Sequence, residues 1–271
     1  MDFLILAIIF VFGAIIGSFL NVVIYRYNSG RSPLTGRSQC FACGKTLSWY
    51  ELIPVASFLV QRGRCRGCKV RLSWQYPLVE VISGAMFVAI FLLGKPILES
   101  VYLVVIFSTL LIIAVYDLRH QIIPDGLAAL FAILSLVWFF YTVPGGFMNV
   151  FHFPHLWALL AGPMLFFPFW ALWFVSQGRW MGLGDGKLAL GIGWFLGATL
   201  GGSAIMLAFW IGAAWALLHM AYQRLAAGFS GVKLSMNSEI PFGPFLILGT
   251  IVVYFTGVNF FDGSITFITF L

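Results

Sequence analysis

Apolar residues in this chain gather in long runs separated by short polar connections. A run of roughly 17–25 such residues suffices for a helix that crosses a bilayer. The runs predict spans near 3–25, 77–93, 101–116, 126–143, 155–175, 187–200, 203–222 and 242–258. The sixth of these is short and Gly-rich. Gly/Pro-rich connections fall at 94–96, 144–146 and 228–231. No solenoid-type repeat and no low-complexity tract interrupts the pattern.

One polar stretch breaks it. Residues 26–76 hold every cysteine, more than half of the basic residues, and turn-formers such as Asn28-Ser29-Gly30 and Pro33. The chain therefore divides into a first transmembrane helix (1–25), an inserted polar segment (26–76) and a membrane-embedded core (77–271).

Composition agrees with the run lengths. The 271 residues are 61% hydrophobic and only 9% charged, more apolar material than one soluble core of this size needs. The opening run is too long for a signal-peptide apolar region. It begins with Asp2 rather than a basic flank and lacks a small-x-small cleavage site, so it reads as a retained span. A formal charge of +6 raises the idea of a nucleic-acid partner, but fourteen of the fifteen basic residues fall in loops of one parity. Lys95 alone lies in the other set. That asymmetry is the positive-inside signal, which puts 26–76, 117–125, 176–187 and 223–240 in the cytoplasm and both termini outside. Nucleic acid is not the expected partner; lipid is.

The cysteines form two CxxC knuckles, Cys40-Phe-Ala-Cys43 and Cys65-Arg-Gly-Cys68, with 21 residues between them. Two knuckles supply the four thiolates of a closed tetrahedral zinc site of zinc-ribbon type. Two disulfides are the alternative, disfavoured in a loop facing a reducing cytoplasm. A redox pair is another, but its usual βαβ context is missing. A segment of about 50 residues has too small a core to fold well alone, and a metal supplies the missing free energy. The site organises and does not react.

Two acidic residues carry the other candidate chemistry. Asp117, in AVYDLRHQIIPD (114–125), follows the third apolar run; Asp185, in GLGDGK (182–187), precedes the sixth. Charge parity puts both on one membrane face. A carboxylate at membrane depth is costly unless it is hydrated, paired or catalytic. Two that share a proton titrate apart, one ionised to activate water and one protonated to polarise a carbonyl. A helix cap or an interfacial charge is the plain alternative for either residue alone. Asp125 suits that role, as an N-cap after Pro124. Lys187 is placed to tune Asp185 or to bind a lipid phosphate. His120, His152, His155 and His219 read as interfacial or packing residues.

The order of motifs resembles that of the type IV prepilin peptidases, which are bifunctional leader peptidase/N-methyltransferases of bacterial pilus and type II secretion systems. GSFLNVVIYR (17–26), the paired CxxC motifs around ELIPVASFLVQRG (51–63), RLSWQYPLVE (71–80), the two Asp motifs and IPFGPFL (240–246) occur in sequence over nearly the whole chain. The resemblance implies that Asp117 and Asp185 are the catalytic pair and that Cys40, Cys43, Cys65 and Cys68 hold structural zinc. It implies a prepilin or pseudopilin substrate with a short basic leader, cleaved after Gly at the cytoplasmic face. S-adenosylmethionine would then methylate the new N-terminus. No strand–GxGxxG–helix exists to cradle that donor.

By the same resemblance Gly63 belongs with methylation, though a turn glycine of the knuckle explains it equally. Glu80 is a candidate to neutralise the substrate ammonium or the sulfonium, or simply to reach the interface. Glu51 and Glu239 are further candidates for contact with a basic leader. Asn21 and Arg26 read as packing and headgroup anchors.

The expected protein is thus an all-α polytopic membrane protein with about eight transmembrane helices and a small zinc-ribbon-like insertion. It sits in the bacterial inner membrane with its active site toward the cytoplasm, and oligomerisation is left open. Its expected activity is aspartic leader peptidase with N-methyltransferase. Competing readings are a peptidase without methyl transfer, and a non-catalytic assembly or ion-transport protein whose carboxylates carry protons or cations.

Overall fold

A computed structural model describes residues 3–143, 155–225 and 240–262, with the backbone of Ser264–Ile265. The chain forms two compact units, one up to Ile112 and one from Ile113 onward.

The first unit contains α1 (Phe3–Arg26), a 3₁₀ turn (Trp49–Leu52), the short α2 (Ala56–Val60), α3 (Gln75–Leu92) and the first part of α4 (Ile97–His120). In lipid there is no hydrophobic force between two apolar helices, so close backbone approach must hold them together. The Gly13-xxx-Gly17 stripe of α1 provides it. A Cβ on Gly17 would lie 2.8 Å from the Cα of Glu80 on α3. The Ser83 hydroxyl donates to the Gly13 carbonyl at 2.7 Å. The other face of α1, with Phe3, Ile8 and Phe12, is exposed, as a lipid-facing surface should be.

Past α1 the chain is folded by Arg26. Its guanidinium donates to the carbonyls of Ser32 (2.8 Å), Thr35 (2.6 Å) and Arg37 (3.2 Å). The expected headgroup anchor is instead a staple for the loop 27–37, because five rigid donors satisfy a cluster of loop carbonyls. Asn21 does pack: its amide donates to the Tyr76 carbonyl and accepts from Gln75, both at 3.2 Å.

The second unit holds the end of α4, then α5 (Asp125–Thr142), α6 (His155–Ser176), α7 (Leu183–Leu225) and α8 (Gly243–Thr256). Helix α7 packs against α5, α6 and α8 and is the centre of this unit. Helix α6 carries Pro163, which has no N–H to give the carbonyl four residues back. That carbonyl, Leu159 O, instead accepts the indole N–H of Trp194 on α7 at 2.9 Å. The repair explains how an internal proline is tolerated at membrane depth. A short ribbon pairs Val258–Asn259 with Ser264–Ile265. The Ser203 hydroxyl fastens it by accepting the Phe260 N–H at 3.0 Å.

Among the described residues, six helices are long and apolar enough to cross a membrane: α1, α3, α4, α5, α6 and Leu183–Gln223 of α7. The expected spans 187–200 and 203–222 correspond to the two helical stretches of α7, which meet at Gly197 rather than between residues 200 and 203. Gly197 interrupts it with φ 81° and ψ 179°, a backbone conformation open to glycine. The last expected span corresponds to α8, whose 14 residues cover only about 21 Å at 1.5 Å per residue. A hydrocarbon core is about 30 Å thick, so a count of eight full-length spans does not follow.

Candidate functional site

Asp117 lies within the last turn of α4, not beyond it as the apolar run suggested. The helix ends three residues later, at His120. Gln121 adopts φ 54° and its N–H returns to the Asp117 carbonyl at 2.7 Å, a left-handed stop. Pro124 then disfavours helical backbone at Ile123. Ile123 packs against two glycines from other elements. A Cβ on Gly184, in α7, would lie 2.9 Å from its Cβ, and one on Gly243, at the start of α8, 3.1 Å from its Cδ1.

This packing gathers three chain segments around the carboxylates. Gly243 opens α8, so its N–H has no partner within the helix. It donates to Oδ2 of Asp117 at 3.2 Å. Asp185 lies in the first turn of α7. The two carboxylates are close enough to act on each other electrostatically. They are 3% and 8% exposed, and among the described residues neither has an ion-pair partner. Two buried carboxylates within electrostatic reach disfavour each other's charge, which makes them a candidate acid pair.

Two neighbours differ from expectation. Asp125 is not an N-cap: Pro124 takes that position and no side chain caps the helix. Asp125 instead pairs with Lys187 at 2.5 Å. Lys187 was expected to act on Asp185 or a lipid phosphate, and its charge is spent on Asp125. Helical geometry explains why: two residues apart on one helix point in different directions. His120 stacks on Tyr116 (4.4 Å between centroids) and His219 on Trp215 (5.3 Å). His152 and Glu239 lie outside the described residues.

The cysteines of the first unit form a second cluster. Their four Sγ atoms lie within 4.8 Å of one another, and Cys40 and Cys68 are 3.9 Å apart. A tetrahedron with Zn–S bonds of about 2.3 Å has edges of about 3.8 Å. The thiols are free rather than joined in disulfides.

Both knuckles are built alike. The N–H of Cys40 donates to Lys45 O and that of Cys65 to Val70 O, each at 2.9 Å. Gly44 (φ 70°) and Lys69 (φ 62°) turn the chain at equivalent points. Backbone N–H groups of Cys68 and Gly67 pull the Cys65 thiol down to about 7. Against the Val70 N–H, burial and the neighbouring thiols push Cys68 up to about 11, the crowding of four sulfurs that a bound cation would relieve. Lys45 and the buried Glu51, 3.1 Å apart, tie the first knuckle to the 3₁₀ turn. Glu51 also accepts the Ser48 N–H, at 2.9 Å. The four thiolates fit a structural zinc ion.

Gly63 has a structural use beside the second knuckle. It adopts φ +63°, and a Cβ there would lie 3.1 Å from the Phe58 ring. Glu80, buried on α3, accepts the Val55 N–H at 2.7 Å and so holds the start of α2. Both residues belong to the first unit, as do the cysteines. Sequence reasoning overlooked Gly243 as a partner of Asp117. The available signal was Gly-Pro opening an apolar run in IPFGPFL, a helix start with free donors.

Comparison with known proteins follows the two units. Residues 11–93 match the bacterial peptidase A24 N-terminal domain model. Residues 104–217, which include Asp117 and Asp185, match the type IV leader peptidase family model. A prepilin leader peptidase/N-methyltransferase of Myxococcus xanthus is 35% identical, over 87% of this chain and 68% of its own length. One of Bacillus subtilis is 31% identical, over 93% and 94%. One of Aeromonas hydrophila is 28% identical, over 89% and 87%. No solved structure gives a significant match.

Proposed function

The chain belongs to the type IV leader peptidase family, and from that premise we propose that it cleaves the leader of a prepilin or pseudopilin and methylates the new N-terminus. The observation that carries the peptidase half is the pair Asp117 and Asp185, buried and within electrostatic reach of each other.

Ionised, one carboxylate takes a proton from water as the oxygen attacks the scissile carbonyl. The other, protonated, gives its hydrogen to the carbonyl oxygen, and the carboxylates then pass a proton to the departing amine. Asp117 is held for this work by Gly243, whose N–H occupies Oδ2 and fixes the carboxylate plane. Removal of bulk water strengthens both interactions. Basic charge confined to loops of one parity supports a site facing the cytoplasm. The substrate on this reading carries a short basic leader, a Gly at the cleavage point and then an apolar helix.

Methyl transfer uses S-adenosylmethionine, which supplies an electrophilic methyl group to the exposed amine. Zinc held by Cys40, Cys43, Cys65 and Cys68 supports the segment without entering either reaction. The roles of the carboxylates, the cysteines and Glu80 rest on their geometry and on the activity of the family.

One assay tests the reading. Purified protein is incubated with a synthetic prepilin and S-adenosylmethionine, and the product is weighed by mass spectrometry. Loss of the leader together with one added methyl group is the expected result. An intact precursor contradicts the peptidase, and a cleaved but unmethylated product contradicts the second activity.

A further inference from the structure

The first unit encloses a cavity of about 650 Å³ between the inner end of α1, the start of α3 and the cysteine segment. Its size is that of a small-molecule site. Ser18, Asn21, Val22, Tyr25 and Arg26 reach it from α1 at the three- and four-residue spacing of one helix face, and Tyr76 and Glu80 reach it from α3. Cys40 and Cys65 line it from the cysteine cluster.

Three features define what the cavity can take. The first is an aromatic wall. Tyr25 stacks on Tyr76, with centroids 5.2 Å apart and planes at 14°, and Phe41 lies 5.3 Å from Tyr25. Aromatic faces attract cations lacking N–H donors, and they stack on nucleobases. The second is Glu80. It is buried and held by Val55, and among the described residues no basic side chain pairs with it. The other buried acid on the lining, Glu51, is neutralised by Lys45. The third is Arg71, an exposed cation on the same lining. Together they suit a ligand with a planar base, a central cation and a terminal carboxylate.

We infer that this cavity binds the sulfonium nucleoside that donates the methyl group, with the base against Tyr25 and Tyr76, the sulfonium toward Glu80 and the carboxylate toward Arg71. The inference rests on the methyltransferase reading above and gives it a location. In the transfer the amine lone pair forms the N–C bond as the S–C bond breaks. Sulfur leaves with that electron pair as a neutral thioether, and the amine releases one proton to water. The knuckles form part of the wall, so zinc maintains the cavity without touching the reaction.

Photolabelling of the zinc-loaded, full-length protein with 8-azido-S-adenosylmethionine tests the location without any mutation. Peptide mapping should find the label on segments bearing Tyr25, Phe41 or Tyr76, and unlabelled donor should compete it away. Glu80→Gln and Tyr76→Ala should each weaken donor binding by about tenfold or more, the scale of a desolvated cation contact, with zinc content unchanged. Tyr76→Phe should retain affinity. Label confined to residues 113–262, or wild-type affinity in both weakened variants, overturns the assignment. If methyl transfer still proceeds in that case, only the location fails. If wild-type protein neither binds donor nor transfers methyl, the methyltransferase reading fails with it.

Discussion

The backbone N–H of Gly243 donates to Oδ2 of Asp117 across 3.2 Å, joining residues 126 positions apart in the chain. Through that contact the start of α8 sets the orientation of one carboxylate of the proposed pair. The same glycine leaves no room for a side chain, since a Cβ would lie 2.7 Å from the carboxylate oxygen.

Gly243→Ala is therefore expected to displace Asp117 rather than to unfold the protein. Misplacement of a reacting group by about 1 Å costs on the order of 100-fold in rate. Cleavage of a synthetic prepilin should fall by about that factor in kcat, with melting temperature and metal content near wild type. Wild-type turnover in this variant would remove Gly243 from the positioning of Asp117.

The Trp194–Leu159 contact makes a different prediction, about stability. Trp194→Phe leaves a carbonyl at membrane depth unsatisfied and should cost about 1 kcal/mol. In a Pro163→Ala background, the restored N–H of residue 163 can take the Leu159 carbonyl, and the same substitution should cost much less. Thermal unfolding in detergent across the four proteins of this cycle reads the coupling directly. Equal costs in both backgrounds would mean that the indole does not repair the proline.

Metal content follows from the cysteine geometry. Purified protein should carry about one zinc per chain, the stoichiometry of a single four-thiolate site. Cys43→Ser should lose it, and residues 26–76 should then become protease-sensitive. Elemental analysis and limited proteolysis together test this. Substoichiometric metal with intact disulfides would reverse the assignment.

Much of this arrangement was legible in the residues themselves. Long apolar runs fix where helices lie, because lipid and backbone satisfaction leave few alternatives. Asp117 and Asp185 stand out because acids are scarce in such runs, and paired CxxC spacing announces a thiolate cluster. Contacts that join distant segments were not legible. Nothing local in IPFGPFL says that Gly243 meets Asp117, and nothing near Lys187 says that it pairs with Asp125 rather than acting on Asp185. A break between the expected spans 187–200 and 203–222 was legible, but its position at Gly197 was not, because several glycines in that run are equally permissive and only packing selects one. Arg26 was misjudged for a similar reason, since the carbonyls it binds come together only once the loop 27–37 has folded.

The central claim is that the two buried acids perform the cleavage. Asp117→Asn and Asp185→Asn keep the shape of each side chain while removing the proton that moves, and loss of an acid or base costs about 10²–10⁴-fold. The decisive measurement is the rate of leader removal from a synthetic prepilin by each variant, followed by mass spectrometry, beside its zinc content as a check on folding. Each substitution alone should reduce cleavage by at least about 10²-fold with zinc retained. Cleavage at the wild-type rate by either variant would contradict the account.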